Sequence, residues 1–170
     1  MTYNGDAYSN HLQELHSSQF EMVKGEPDIR NWRVFGIQNQ EVGSVRELLF
    51  DDLSHRVRYL VVDVNGEPLH LISRLVLIPV GFAELVRDEK VVVITGLTVG
   101  HLASLPTYEK GKITSATEHL VRSVFSPPGT VIYQDEDRND FYNHAQFNDE
   151  KFYRTPTDLT SRRGLKEEMK

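Results

Sequence analysis

Between Trp32 and Gly96 the chain runs in short apolar stretches separated by polar turns. The stretches WRVFGI (32–37), VGSVRELLF (42–50), RVRYLVVDV (56–64), RLVLIPV (74–80), FAELV (82–86) and KVVVITG (90–96) predict six strands. Asn39, Gln40 and Glu41 form the turn between the first two. Asn65-Gly66 predicts a two-residue type I′ hairpin turn, which needs positive φ at both central positions. Pro68 has no N–H and places the start of the return strand at a sheet edge. No helix-sized interval separates the strands, so the pattern points to an all-β barrel or sandwich rather than to βαβ units.

The third strand poses a question of coverage. Val57, Tyr59, Val61 and Asp63 point to one side, and Arg58, Leu60, Val62 and Val64 to the other. Both sides are mainly apolar, as they are in LVLIPV and VVVI. A closed barrel fills its interior with one set. The other set needs a cover, expected to be a helix over 114–125 together with a second copy of the chain. That helix is predicted from TSATEHLVRSVF, with Ser115-x-x-Glu118 as a capping box and Leu120 and Val124 leading its apolar stripe. Pro127-Pro128 ends it. TVGHLASLP (98–106) predicts a helical turn near 98–105 with Thr98 as N-cap, and SNHLQELHSSQF (9–20) has helical potential through Leu12 and Leu15.

Composition changes the picture after Phe125. Residues 126–170 contain four Val, Ile and Leu residues, Val131, Ile132, Leu159 and Leu165, too few to offset ordering entropy on their own. They are expected to form an extended or disordered tail, with residues 1–18 as a separate N-terminal segment. Net charge is −6 with a pI near 5.6, which argues against nucleic acid or anionic lipid as partners. There is no Cys, so disulfides and thiolate metal sites are excluded. The N-terminus has no basic and apolar leader pattern, and no apolar run approaches a transmembrane length. A cytoplasmic protein without a membrane anchor is expected.

GEPDIRNW (25–32), VGSVRELLFD (42–51), RVRYLVVD (56–63), LIPVGFA (77–83) and LASLP (102–106), in this order, resemble the PRC-barrel family. The resemblance covers residues 19–125. The family includes the cytoplasmic domain of the photosynthetic reaction-centre H subunit and the C-terminal domain of the ribosome maturation factor RimM. The resemblance implies a small six-stranded barrel acting as a protein-binding or oligomerisation module without chemistry of its own. Order and spacing are closer to the H subunit, which raises an accessory role in photosynthetic electron transfer as an alternative. Against it, no transmembrane helix precedes the barrel, and Val61 stands next to Asp63 where a proton relay would want further acids.

Motifs that carry chemistry are few. The seven histidines form neither HExxH nor an i, i+4 pair, and GxSxG, GxGxxG and P-loop patterns are absent. DEDRND (135–140) lacks the glycine and the terminal glutamate of a calcium loop. No catalytic, cofactor-binding or metal residue is assigned, no cofactor is expected, and a small uncharacterised enzyme is the last-ranked alternative. Candidate interface or barrel-rim residues are Asp28 and Arg30 at the barrel entry, the single tryptophan Trp32, and Arg58, Asp63, His70 and Arg74, which are expected to gather at one barrel mouth. The expected partner is a protein of unknown identity, with a homodimer as the first form to test.

Overall fold

The computed structural model of the chain describes residues 11–15, 27–127, 129, 141–150 and 152. Among these the fold is mainly β, with strands β1 (Leu12–Glu14), β2 (Arg33–Phe35), β3 (Glu41–Asp51), β4 (Val57–Val64), β5 (Arg74–Pro79), β6 (Ala83–Val86) and β7 (Val91–Ile94). Two helices follow, α1 (Val99–Ser104) and α2 (Ser115–Phe125). The strands form one sheet in the order β5-β4-β3-β2-β7-β6, with β1 paired to the end of β3. The β2–β7 pair is parallel and the others are antiparallel.

The expectation of a closed six-stranded barrel is corrected on two points. A seventh strand, β1, replaces the helix expected across 9–20; residues 9, 10 and 16–20 of that stretch lie outside the described residues. Its backbone bonds to the far end of β3, with Leu15 N donating to Leu48 O at 3.0 Å and Asp52 N to His11 O at 2.9 Å. One turn's worth of leucine spacing could not compete with a ready strand edge.

The second correction concerns closure. The two end strands β5 and β6 share no ladder, so the sheet is open. It nevertheless rolls up. Only Val80–Phe82 separates the end of β5 from the start of β6. Four Cα steps reach about 15 Å, whereas six flat strands would hold their edges about 24 Å apart. Bulges supply the bend: the register slips between Val45 and Glu47 on β3, leaving Arg46 unpaired, and again where Leu49 and Phe50 face Tyr59 and Val57.

The seam between β5 and β6 is filled by other parts of the chain. Helix α2 packs on β5, and the rings of Phe82 and Phe125 lie 4.9 Å apart. A short 3-10 turn, Ala145–Phe147, rests directly on Gly81. A Cβ at Gly81 would fall 2.3 Å from Ala145 O and 2.4 Å from Gln146 O, so only glycine permits this approach.

Both sides of β4 are therefore covered within one chain. Tyr59, Leu60, Val61 and Val62 are fully buried. Phe141, Tyr142, Phe147 and Phe152, from the stretch expected to be a tail, belong to the same core. α2 and residues 141–150 and 152 thus cover surface that the sequence reading had assigned in part to a second copy of the chain.

Local chemistry was read correctly in one helix and misread in the other. Thr98 caps α1, accepting from His101 N at 3.1 Å while His101 Nδ1 accepts from Thr98 N at 3.1 Å. For α2 the cap is Thr114 with Thr117, not Ser115 with Glu118. Leu120 is 48% exposed, and the buried face carries Glu118, Val121 and Arg122 instead.

The Asn65-Gly66 turn is also corrected. Gly66 is right-handed (φ −75, ψ −26), and residues 65–73 form a longer loop through a 3-10 turn at Glu67–Leu69. Positive φ at consecutive residues occurs instead at Gln38 and Asn39, between β2 and β3. Gly66 is required for a different reason: a Cβ there would lie 2.2 Å from Leu71 O.

Candidate functional site

The bulge at the start of β4 and the docked residues 141–150 bring together a buried polar cluster. At its centre is Glu118 of α2, 5% exposed. Its Oε1 accepts the hydroxyl proton of Tyr59 at 2.9 Å and that of Tyr142. Because the Tyr142 proton is committed to Glu118, His11 Nε2, 2.7 Å from the Tyr142 oxygen, is the donor in that pair. Burial, and then the Glu118 carboxylate, push both tyrosines well above the ordinary phenol range. They remain protonated donors throughout the neutral range and cannot serve as bases.

A cationic layer lies beside this network. Arg58, the bulge residue of β4, places its guanidinium 4.4 Å from the centre of the Tyr142 ring. It stands 3.6 Å from Asp51 and donates to Ser54 Oγ at 3.2 Å. Asp51 is held in turn by the backbone, its Oδ1 accepting from Leu53 N at 2.9 Å. Arg122, one turn after Glu118 and 5% exposed, donates to His144 Nε2 at 2.7 Å and lies over the Phe141 ring at 5.2 Å.

Arg56 Nη1 donates to both oxygens of Asp149, at 3.0 and 3.1 Å. Gln146 Nε2 donates to Arg122 O at 3.2 Å and to Ser126 Oγ at 3.0 Å. Between the β3–β4 turn and the segment runs an open cleft of about 860 Å³, lined by Arg56, Arg58, Tyr142, His144 and Asp149 among others.

A smaller hollow of about 220 Å³ lies under β1, walled by Leu12, Leu49, Tyr108 and Ile113. Tyr108 donates to Glu14 at 3.1 Å, and burial followed by the Glu14 charge raises its phenol above the ordinary range. Among the described residues no three His, Asp or Glu side chains gather in a way that could hold a metal ion. No described helix is long and apolar enough to cross a membrane.

The residues singled out from sequence fall in separate places. Asp28 and Arg30 form a local turn: Arg30 N and Nε donate to Asp28 Oδ1 at 3.1 and 2.9 Å. That hydrogen bond holds the Asp28 carboxyl below its usual range and raises the guanidinium of its partner. Trp32 is half-buried against the core, and its carbonyl accepts from Val45 N at 2.9 Å. His70 is exposed in the β4–β5 loop, in the left-handed region. Arg74 donates to Leu102 O and Leu105 O, both at 2.6 Å, and so closes the C-terminal end of α1.

Arg58 and Asp63 sit toward opposite ends of β4, about 17 Å apart along the strand. Arg74 faces Val64 across the ladder, so Arg74 and Asp63 project from opposite faces. The four do not form one mouth. Of the seven, Arg58 alone belongs to the buried cluster. Sequence reading missed Glu118, Arg122, Tyr142 and His144; the available signal was the i, i+4 pair Glu118 and Arg122 flanking Val121, together with the aromatic run beyond Pro128.

Residues 25–99 match the family model of the PRC-barrel domain. This segment of the chain is thus a PRC-barrel domain, as the sequence motifs implied. The match takes in β2 to β7 and ends at Val99. Glu118, Arg122, Tyr142 and His144 lie beyond it, so the buried cluster joins the family domain to the elements that follow.

Proposed function

We propose that this chain is a protein-binding module built on a PRC-barrel domain, without chemistry of its own. The observation that carries this reading is the family match over residues 25–99. The disposition of polar groups supports it: Glu118 accepts from two tyrosines that burial keeps protonated, and Arg56, Arg58 and Arg122 are engaged by neighbouring side chains. A nucleophile aligned with a base is what an acyl- or phosphoryl-transfer site would need, and this cluster offers none. The partner is read as another protein rather than a second copy, because both faces of β4 are covered inside one chain.

Two exposed aliphatic side chains are the candidate contact points: Ile37, 49% exposed beside the β2–β3 turn, and Ile72, 81% exposed in the β4–β5 loop. The test is affinity capture on the immobilised full chain, compared with an Ile37→Ser/Ile72→Ser variant of matched thermal stability. A specific protein retained by the native chain and lost with the variant is the expected result. Retention unchanged in the variant would move the contact surface elsewhere, and no retention above a denatured-chain control would remove the binding reading. Light scattering on the same preparation should give 19.5 kDa rather than twice that mass.

A further inference from the structure

Strand β1 leaves one of its two edges open. Its ladder to β3 pairs Leu12 with Asp51, Gln13 with Phe50 and Glu14 with Leu49. The bonds from Asp52 N to His11 O and from Leu15 N to Leu48 O fix which residues face β3. Bonded positions alternate in an antiparallel pair, so His11, Gln13 and Leu15 turn their main-chain groups toward β3. Leu12 and Glu14 turn theirs away from it. Their two N–H and two C=O groups make no hydrogen bond among the described residues.

This edge borders the hollow of about 220 Å³. Leu12 and Glu14 share a face with Leu49, while Gln13 points to the opposite face and is exposed. Tyr108, Lys110 and Ile113, from the chain between α1 and α2, wall the far side. An apolar cavity of about 150 Å³ accepts a benzene ring, so the hollow has room for one aliphatic or aromatic side chain. At the rim the Lys110 side chain is 64% exposed, with its ammonium 3.7 Å from Glu14 Oε2. Glu14 is the more buried member of that pair and also accepts from the Tyr108 hydroxyl at 3.1 Å. Lys110 is therefore the charge that an approaching chain meets.

We propose that β1 accepts an extended segment of a partner protein as an added strand, with one apolar side chain in the hollow and a carboxylate reaching Lys110. Main-chain bonds to Leu12 and Glu14 hold the segment, and the hollow selects its side chain. Partner residues opposite Leu12 and Glu14 project to the face of the hollow, so the matching segment alternates apolar or acidic residues with polar ones. The proposal rests on the binding reading for the class of partner and adds a surface to it. Ile37 lies beside the start of β3, whereas β1 pairs with its last three residues.

The probe is the peptide acetyl-Thr-Val-Thr-Leu-Thr-Glu-amide, whose Val, Leu and Glu fall on one face. Titration calorimetry on the full chain should show saturable binding below millimolar concentration. Amide exchange followed by NMR should show added protection at Leu12 and Glu14. N-methylation of the peptide at Val, Leu and Glu removes the donors that face β1 and should weaken binding about tenfold or more. Leu12→Trp keeps the main-chain groups, fills the hollow and should weaken binding similarly; Gln13→Ala, on the other face, should leave it unchanged. No binding at millimolar peptide, equal binding of the methylated peptide, or no added protection at Leu12 and Glu14 would each overturn the proposal. Should Leu12→Trp fail to fold, the methylated peptide decides on the native chain. The Ile37→Ser/Ile72→Ser variant should bind the peptide as the native chain does, so the two surfaces fail separately; loss of the peptide in that variant would overturn the assignment to β1.

Discussion

Replacing Phe147 by Ala tests whether residues 141–152 are part of the cooperative core. Phe147 is 3% exposed and packs edge-on against Tyr59 at 5.4 Å and Tyr142 at 5.0 Å, with Phe141 at 5.5 Å. Its turn packs closely on Gly81, where a Cβ would fall 2.3 Å from Ala145 O. A buried Phe→Ala change costs about 3–5 kcal/mol, with the upper end expected where relaxation is restricted. Against a total of about 5–15 kcal/mol for a domain, this is a large fraction. It corresponds to about 6–20 °C in Tm at this chain length.

The assay is urea unfolding followed by far-UV circular dichroism and by the fluorescence of Trp32. The control is Leu53→Ala, where the side chain is 75% exposed and the cost should stay within about 0.5 kcal/mol. Both probes should shift together in Phe147→Ala. A loss below about 1 kcal/mol, or a shift seen by neither probe, would mean that the segment rests on the sheet without belonging to its folding unit.

Three further outcomes follow from the same geometry. Glu118→Gln keeps an acceptor for Tyr59 and Tyr142 and should cost less than Glu118→Ala, which orphans two buried hydroxyls at about 1–3 kcal/mol each; equal losses in denaturant titration would show that the hydroxyls are not what Glu118 serves. Both tyrosines keep their protons in the folded state above the ordinary phenol range near 10, so their contribution is complete below that pH and is lost as pH rises beyond it. Stability should fall above pH 10, and less steeply in Tyr59→Phe/Tyr142→Phe; an identical slope would place the alkaline sensitivity elsewhere. Gly66→Ala is compatible with the local φ of −75 but places a methyl 2.2 Å from Leu71 O, so it should cost about 1–3 kcal/mol, and a neutral result in thermal melts would show that the 65–73 loop shifts freely.

The strands were legible because their signal is local. Each of the six apolar runs contains an observed strand, and alternation within β4 correctly implied burial on both sides. What alternation could not give was the cover. α2 was located from its own sequence, and Val124 of its expected apolar stripe does pack on the core, but Leu120, assigned to that stripe by hydrophobicity alone, is exposed. The helix instead turns Glu118 and Arg122 inward, and this is intelligible only with their partners Tyr59, Tyr142 and His144 in place, 22 to 59 positions away.

Poverty in aliphatic residues similarly weighed the reading toward a tail and against docking of the aromatics Phe141, Tyr142, Phe147 and Phe152, all of which are buried. Aromatics carry large apolar area per residue, and a count of Val, Ile and Leu omits it. Arg58 was recognised as a candidate for the wrong reason. The bulge, a feature of pairing between two strands, aims it at Tyr142.

A carboxylate and a guanidinium on the inner face of α2 are costly places to put charge, and an apolar stripe would serve stability as well or better. Their value lies in position. Apolar contacts are non-directional, so alone they would fix the register of an aromatic segment on the seam between β5 and β6 only weakly. Glu118 accepts only where Tyr142 and Tyr59 converge, Arg122 donates only where His144 presents Nε2, and Gly81 admits the chain only at Ala145 and Gln146. A shift of the segment by one residue breaks all three conditions and leaves buried polar groups unpaired. The apolar contacts supply most of the docking energy, and the polar ones select a single register from those the apolar contacts would allow.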